Sequence, residues 1–180
     1  MRKLGYKLLE VSPTGHLYPL FIGNKTEIVL GQEWKAKAIP TKGFAVRAGI
    51  HLGKIPSAPW LMNQYGEYAS PRGKGWSRKW FKVLYNANND YTEEALKQPG
   101  KCFRDVPKDG FYTFFEKGRC HWYICSDAVV IGELKEEERQ AILKEMNFDE
   151  KAEFEPYRRS FEKRKATLEK KKEVNKNGSL

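Results

Sequence analysis

The sequence predicts an α+β protein: a β-rich curved sheet or small barrel over residues 1–134, followed by charged C-terminal helices. Three observations lead there. Before residue 134, aromatic and β-branched residues gather in short runs separated by Gly, Pro and Asn, as pleated strands and turns require. Glu136, Glu137 and Glu138 then sit where acidic groups suit the start of a helix. Beyond Pro156, Lys, Arg and Glu mix at helical spacing around a thin apolar stripe of Tyr157, Phe161 and Leu168.

The elements follow in order. The first twenty residues lack the continuous apolar core of a leader, and no apolar run is long enough to cross a bilayer. The expectation is a soluble protein of the cytoplasm with no membrane partner. "HLYPLFI" reads as a strand, "GNKT" as a turn, and "EIVL" and "GQEW" as the return. "FAVRAGIHL" is the next strand, and "WFKVLYN" runs into the turn "NANND". "GFYTFFEKGRCHWYIC" reads as a hairpin with Lys117 and Gly118 near its tip, and "AVVIGEL" closes the series. Residues 135–155 form a docked helix whose stripe is Ile142, Leu143 and Met146. Residues 156–180 form a solvated helical tail with a frayed end.

Charge narrows the partners. The chain carries a formal +10. From Lys135 onward there are 13 basic and 11 acidic residues, so the excess lies on residues 1–134, with 20 against 12. An excess on the globular part points to an anionic partner, nucleic acid first. Between Glu67 and Asp90 there is no acidic residue, while Arg72, Lys74, Arg78, Lys79 and Lys82 alternate with Trp76, Trp80 and Phe81. Basic groups neutralise phosphates and aromatic faces stack on bases, so Arg72, Lys74, Trp76, Arg78, Lys79 and Lys82 are candidate nucleic-acid contacts.

A second candidate surface lies in "RAGIHLG". In an extended strand, Val46, Ala48, Ile50 and Leu52 point one way, into the core. Arg47, Gly49, His51 and Gly53 then share the other face, with the Arg47 and His51 Cα atoms roughly 13 Å apart. Gly49 leaves bare backbone between them. Arg47 would anchor an anion, and His51 would donate or transfer a proton. The competing explanation is that glycine in a strand marks a bulge or a close neighbouring strand. "KIPSAPWL" leaves the sheet, because its two prolines remove ladder donors, and forms a loop over one edge of that face. Cys102, Cys120 and Cys125 make no disulfide framework. "CHWYIC" lacks the ligand spacing of zinc, so no metal is expected. There is no Walker loop and no dinucleotide fingerprint. No cofactor is expected.

In order, "GHLYPLFIGNKTEIVLGQEWKAK", "VRAGIHLGKIPSAP", "WFKVLYNANNDY", "VPKDGFYTF" and "WYICSDAVVIGEL" resemble an uncharacterised domain of large polyvalent proteins from phages and mobile elements. The resemblance covers about residues 15–134. Its core reads Arg-Pro-Gly-Trp-His, then Gly and Pro-x-Ala. Here these positions are Arg47, Ala48, Gly49, Ile50 and His51, then Gly53, Pro56, Ala58 and Pro59. Ala48 and Ile50 depart from the pattern; Arg47, Gly49 and His51 keep it. The resemblance implies a phage or mobile-element setting and carries no activity.

The leading expectation is a small phage protein that binds nucleic acid or another phosphate-bearing ligand, through residues 72–82 and the Arg47/His51 face. The first alternative is an enzyme. The strand with His-x-Gly is loosely similar to the first strand of ADP-ribosyltransferase-like folds, which use a nicotinamide dinucleotide. That similarity would make His51 cofactor-holding, Tyr112 ring-stacking and Glu133 or Glu67 the polarising carboxylate. The second alternative is a factor that binds a host protein through exposed aromatics.

Overall fold

The computed structural model describes residues 1–39, 47–116 and 121–177, with side chains described through residue 173. Nine strands build one mixed sheet: β1 (Arg2–Val11), β2 (Leu17–Tyr18), β3 (Glu33–Lys35), β4 (Ile50–Gly53), β5 (Ser77–Asn86), β6 (Asn89–Asp90), β7 (Gly110–Phe114), β8 (Trp122–Cys125) and β9 (Asp127–Glu133). Their spatial order is β3-β9-β5-β1-β4-β8-β7-β6, with β2 alongside the end of β1. All described pairings are antiparallel except β6 with β7. Three helices are added: α1 (Thr92–Leu96), α2 (Glu136–Glu145) and α3 (Glu150–Asn177).

The spine of the sheet is β1 against β5, paired without interruption from Arg2↔Asn86 to Val11↔Ser77. Both strands are buried on both faces at their centres, and their side chains alternate between two cores. Leu9, Phe81, Val83 and Tyr85 point to one side and pack with Ile50, Leu52, Phe111, Cys125 and Val130. Tyr6, Leu8 and Trp80 point to the other, against Ala58 and Leu134. A third cluster, Tyr112, Phe114, Ile124 and Ala95, seals β7 and β8 under α1.

The sheet curls strongly. Tyr85 of β5 lies 5.1 Å from the Phe111 ring and 4.9 Å from the Tyr123 ring, although β1 and β4 separate those strands in the order. The curl brings residues of seven strands into one core. It does not close, because β3 and β6 end the order at opposite edges. The curved-sheet expectation therefore holds and the barrel does not.

Several expected strands are shorter than their sequence runs. "HLYPLFI" contributes only β2, and "EIVL" only the single bridge Leu17↔Ile28. "FAVRAGIHL" contributes β4; residues 40–46, Val46 among them, lie outside the described residues, as do the hairpin tip at Lys117 and Gly118 and Cys120. The helix expected to restart after Pro156 instead begins at Glu150 and runs through the proline. Pro156 lies in its second turn and leaves one backbone carbonyl without its helical donor. The start of α3 is held from outside by Phe154, which is buried, and by the ion pairs of Glu150. Among the described residues, no helix is long and apolar enough to cross a membrane.

Candidate ligand-binding cleft

β1 meets β4 at one residue pair only, Tyr6↔Gly53, and the far end of the same edge pairs with β2 at Glu10 and Val11. Between these points, at Lys7, Leu8 and Leu9, the edge of β1 pairs with no strand among the described residues. A cleft of about 1000 Å³ opens there. One wall is Tyr6, Lys7 and Leu8, and the other is Arg47 to His51 with Gly53. The loop at Ala58, Trp60 and Leu61 closes one end, as the prolines of "KIPSAPWL" imply. Residues 19–39 supply further lining, with Leu20, Ile22, Val29, Trp34 and Ile39.

Lys7 is the chemical centre of the cleft. It shares the sheet face of Leu9 and its register partner Phe81, so the backbone delivers an ammonium into apolar surroundings. Its Nζ donates to the His51 carbonyl at 2.7 Å and lies 5.5 Å from the Trp34 ring centroid. Among the described residues it has no carboxylate within 4.0 Å and no second acceptor. Burial pushes its pKa down to about 8, so at pH 7 it is mostly charged.

Arg47 and His51 line the same cleft, but not as two posts across an open gap. The expected separation of roughly 13 Å assumed an extended strand. The chain instead bends at Gly49, whose φ is 141°, and β4 begins only at Ile50. The His51 ring folds back, and its Nε2 donates to the Arg47 carbonyl at 2.7 Å. The Arg47 guanidinium lies 4.5 Å from the Phe114 ring centroid. Burial lowers the His51 pKa to about 4, helped by the positive Lys7 and Arg47 and opposed by the Arg47 carbonyl and Glu116. His51 is therefore a neutral donor at pH 7, not a poised proton shuttle.

The two glycines are not a bare floor for a ligand. A Cβ on Gly49 would stand 2.4 Å from Ile124 Cγ2, and one on Gly53 2.6 Å from the Ile55 carbonyl. Both glycines exist for close approach of neighbouring chain. Gly49→Ala should therefore destabilise the fold by about 2 kcal/mol, from the clash and the positive φ together. Chemical denaturation measures this, and an unchanged midpoint would show that Ile124 yields freely.

His51 makes stability depend on acid. The folded protein resists protonating the ring below the ordinary pKa of 6.5, whereas the unfolded chain takes the proton. Stability from this group is complete above pH 6.5 and drains away as pH falls to about 4. The loss amounts to roughly 3 kcal/mol at most. His51→Gln should flatten that part of the pH–stability profile; an unchanged acid limb would remove His51 as its cause.

The basic segment is largely engaged by the protein itself. Arg72 donates to the Pro19 and Asn24 carbonyls at 3.1 and 2.8 Å and stacks between Tyr18 and Trp76, at 5.4 and 4.8 Å. Trp76 is half-buried in that stack and offers no free face on the Arg72 side. Arg78 is sealed against Glu10 at 2.7 Å. Lys79 pairs with Glu133 at 3.1 Å, and Lys82 with Glu138 at 3.2 Å. Acidic residues distant in sequence oppose the strip. Lys74 alone of the five basic residues is exposed without an ion pair among the described residues.

The residues of the enzyme alternative are not assembled. Tyr112 is fully buried beneath Phe103 and cannot present a ring face. Glu67 sits in a turn with Asn63, and Glu133 is held by Lys79 and Lys135 at the end of β9, across β5 and β1 from β4. Comparison with family models, curated proteins and solved structures gave no match.

The residue that sequence reasoning passed over is Lys7. Its signal was present: in "GYKLLEV", period-two alternation places Lys7 with Leu9 and Val11, a lone lysine on an apolar face.

Proposed function

We propose that this protein is a binding module for a phosphate-bearing ligand, whose anionic group it takes in the cleft between β1 and β4. The observation that carries this reading is the Lys7 ammonium, half enclosed and without a carboxylate partner among the described residues. Arg47, on the same cleft, adds a second cation with no ion pair among the described residues. A buried cation without a counter-ion is costly, and a bound phosphate removes that cost. The basic excess of residues 1–134 favours approach of such a ligand. A phage or mobile-element setting, which the sequence resemblance implies, fits a small binding module.

The test compares two variants in binding pyrophosphate and a short single-stranded oligonucleotide. Lys7→Met should weaken both about tenfold or more, the size of a lost charged hydrogen bond. Lys74→Glu with Lys79→Glu should change pyrophosphate binding little. The reverse pattern would move the site to residues 72–82, and no binding by the unaltered protein would end the phosphate reading.

A further inference from the structure

The cleft is far larger than a phosphate, and its remaining surface says what else the ligand carries. Ile22, Val29 and Ile39 line the cleft with 41%, 44% and 42% of their surfaces exposed. Leu20 and Leu61 also line the cleft and pack against the cluster that holds Leu8. Several of the rings that line the cleft are engaged with neighbours. Trp60 and Trp122 pack edge to face on each other, with centroids 5.3 Å apart, and one face of Trp34 lies under Lys7. Nearby polar groups are engaged as well: Glu27 by His16, and Glu33 by Arg2 and Lys35. Among the described lining residues, a nucleobase would therefore find Glu27 and Glu33 already paired rather than free to read its edge. An aliphatic chain needs only apolar surface to cover.

Resting on the reading that Lys7 receives the phosphate, we propose that the ligand is a single-chain amphiphile, an alkyl or isoprenoid phosphate. Its head group sits at Lys7, and its chain lies against the aliphatic side chains Ile22, Val29 and Ile39 of the same cleft. Charge complementarity places the anionic head at Lys7 and Arg47, and the aliphatic side chains of the same cleft cover the chain.

The test is calorimetric titration with inorganic phosphate, octyl phosphate and decyl phosphate, all below micelle-forming concentrations. Each added methylene should tighten binding by up to about fourfold. Lys7→Met should weaken all three by a similar factor and leave the chain-length trend intact. Ile22→Ser with Val29→Ser should flatten the trend and leave inorganic phosphate unaffected. Equal affinity for inorganic and decyl phosphate would overturn the amphiphile while leaving the phosphate reading standing. A chain-length trend that survives the serine variant would overturn the placement of the chain. Chain-dependent binding that ignores Lys7→Met, or no binding at all, would overturn both.

Discussion

Arg139→Met should destabilise the protein by about 3–5 kcal/mol, because it strips the partner from a buried carboxylate. Arg139 is 4% exposed although it lies on a charged helix. Its guanidinium donates to both Glu150 oxygens at 2.8 Å, to Glu136 and to the Pro56 carbonyl at 3.0 Å. The Tyr68 hydroxyl donates to Glu150 at 2.7 Å and accepts from the Ala58 amide at 2.9 Å. This network ties the start of α3 and the body of α2 to residues 56–58, immediately before the Trp60–Leu61 wall of the cleft. Without Arg139, Glu150 keeps only hydroxyl donors. The measurement is urea denaturation, and pairing the substitution with Glu150→Met should recover part of the loss. A loss below about 1 kcal/mol would mean that the network is as weak as a surface salt bridge.

Arg78→Met should cost a similar about 3–5 kcal/mol, for the same physical reason. Glu10 is 1% exposed, stands opposite Arg78 in the β1–β5 ladder, and accepts from Arg78 Nε at 2.7 Å and from the Ser70 hydroxyl. The result separates two roles. A phosphate contact would lose binding and keep stability, whereas a buried counter-ion loses stability first. Lys74→Glu is the control, because Lys74 is exposed and its substitution should stay within about 0.5 kcal/mol. An unaltered unfolding midpoint for Arg78→Met would return that arginine to the candidate nucleic-acid contacts.

These two arginines also show where sequence reasoning stops. Arg78 lies in an interval without acids, yet its partner is 68 residues away along the chain. Local charge counting cannot see a pair made by strand register. The strand β1 was hidden for a related reason. Its centre is buried on both faces, so Tyr6, Leu8, Leu9 and Val11 do not produce the polar alternation that marks a half-buried strand. The charged Lys3, Lys7 and Glu10 interrupt the run further. The hairpin of β7 and β8 and the strands β5 and β9 were legible, because aromatics and β-branched residues sit between plain turn signals. Ile50 and Leu52 enter the core as their parity requires. Arg47 and His51 read from the sequence as two groups on one extended strand face; the structure lines one cleft with both but bends the chain at Gly49, so the expected spacing does not apply. The helices were visible as charged segments. The fit of Glu150 beside Arg139 was not, because it depends on how two helices meet a loop.

The most direct measurement of the central claim is the titration of Lys7 itself, followed by NMR of its side chain with and without phosphate. In the free protein Lys7 should titrate near 8, well below the ordinary 10.5. Bound phosphate should raise that value, because an adjacent anion favours the charged ammonium. The proton taken up on binding should therefore be detectable above pH 8. A Lys7 whose titration phosphate leaves unmoved would contradict a ligand held against this ammonium.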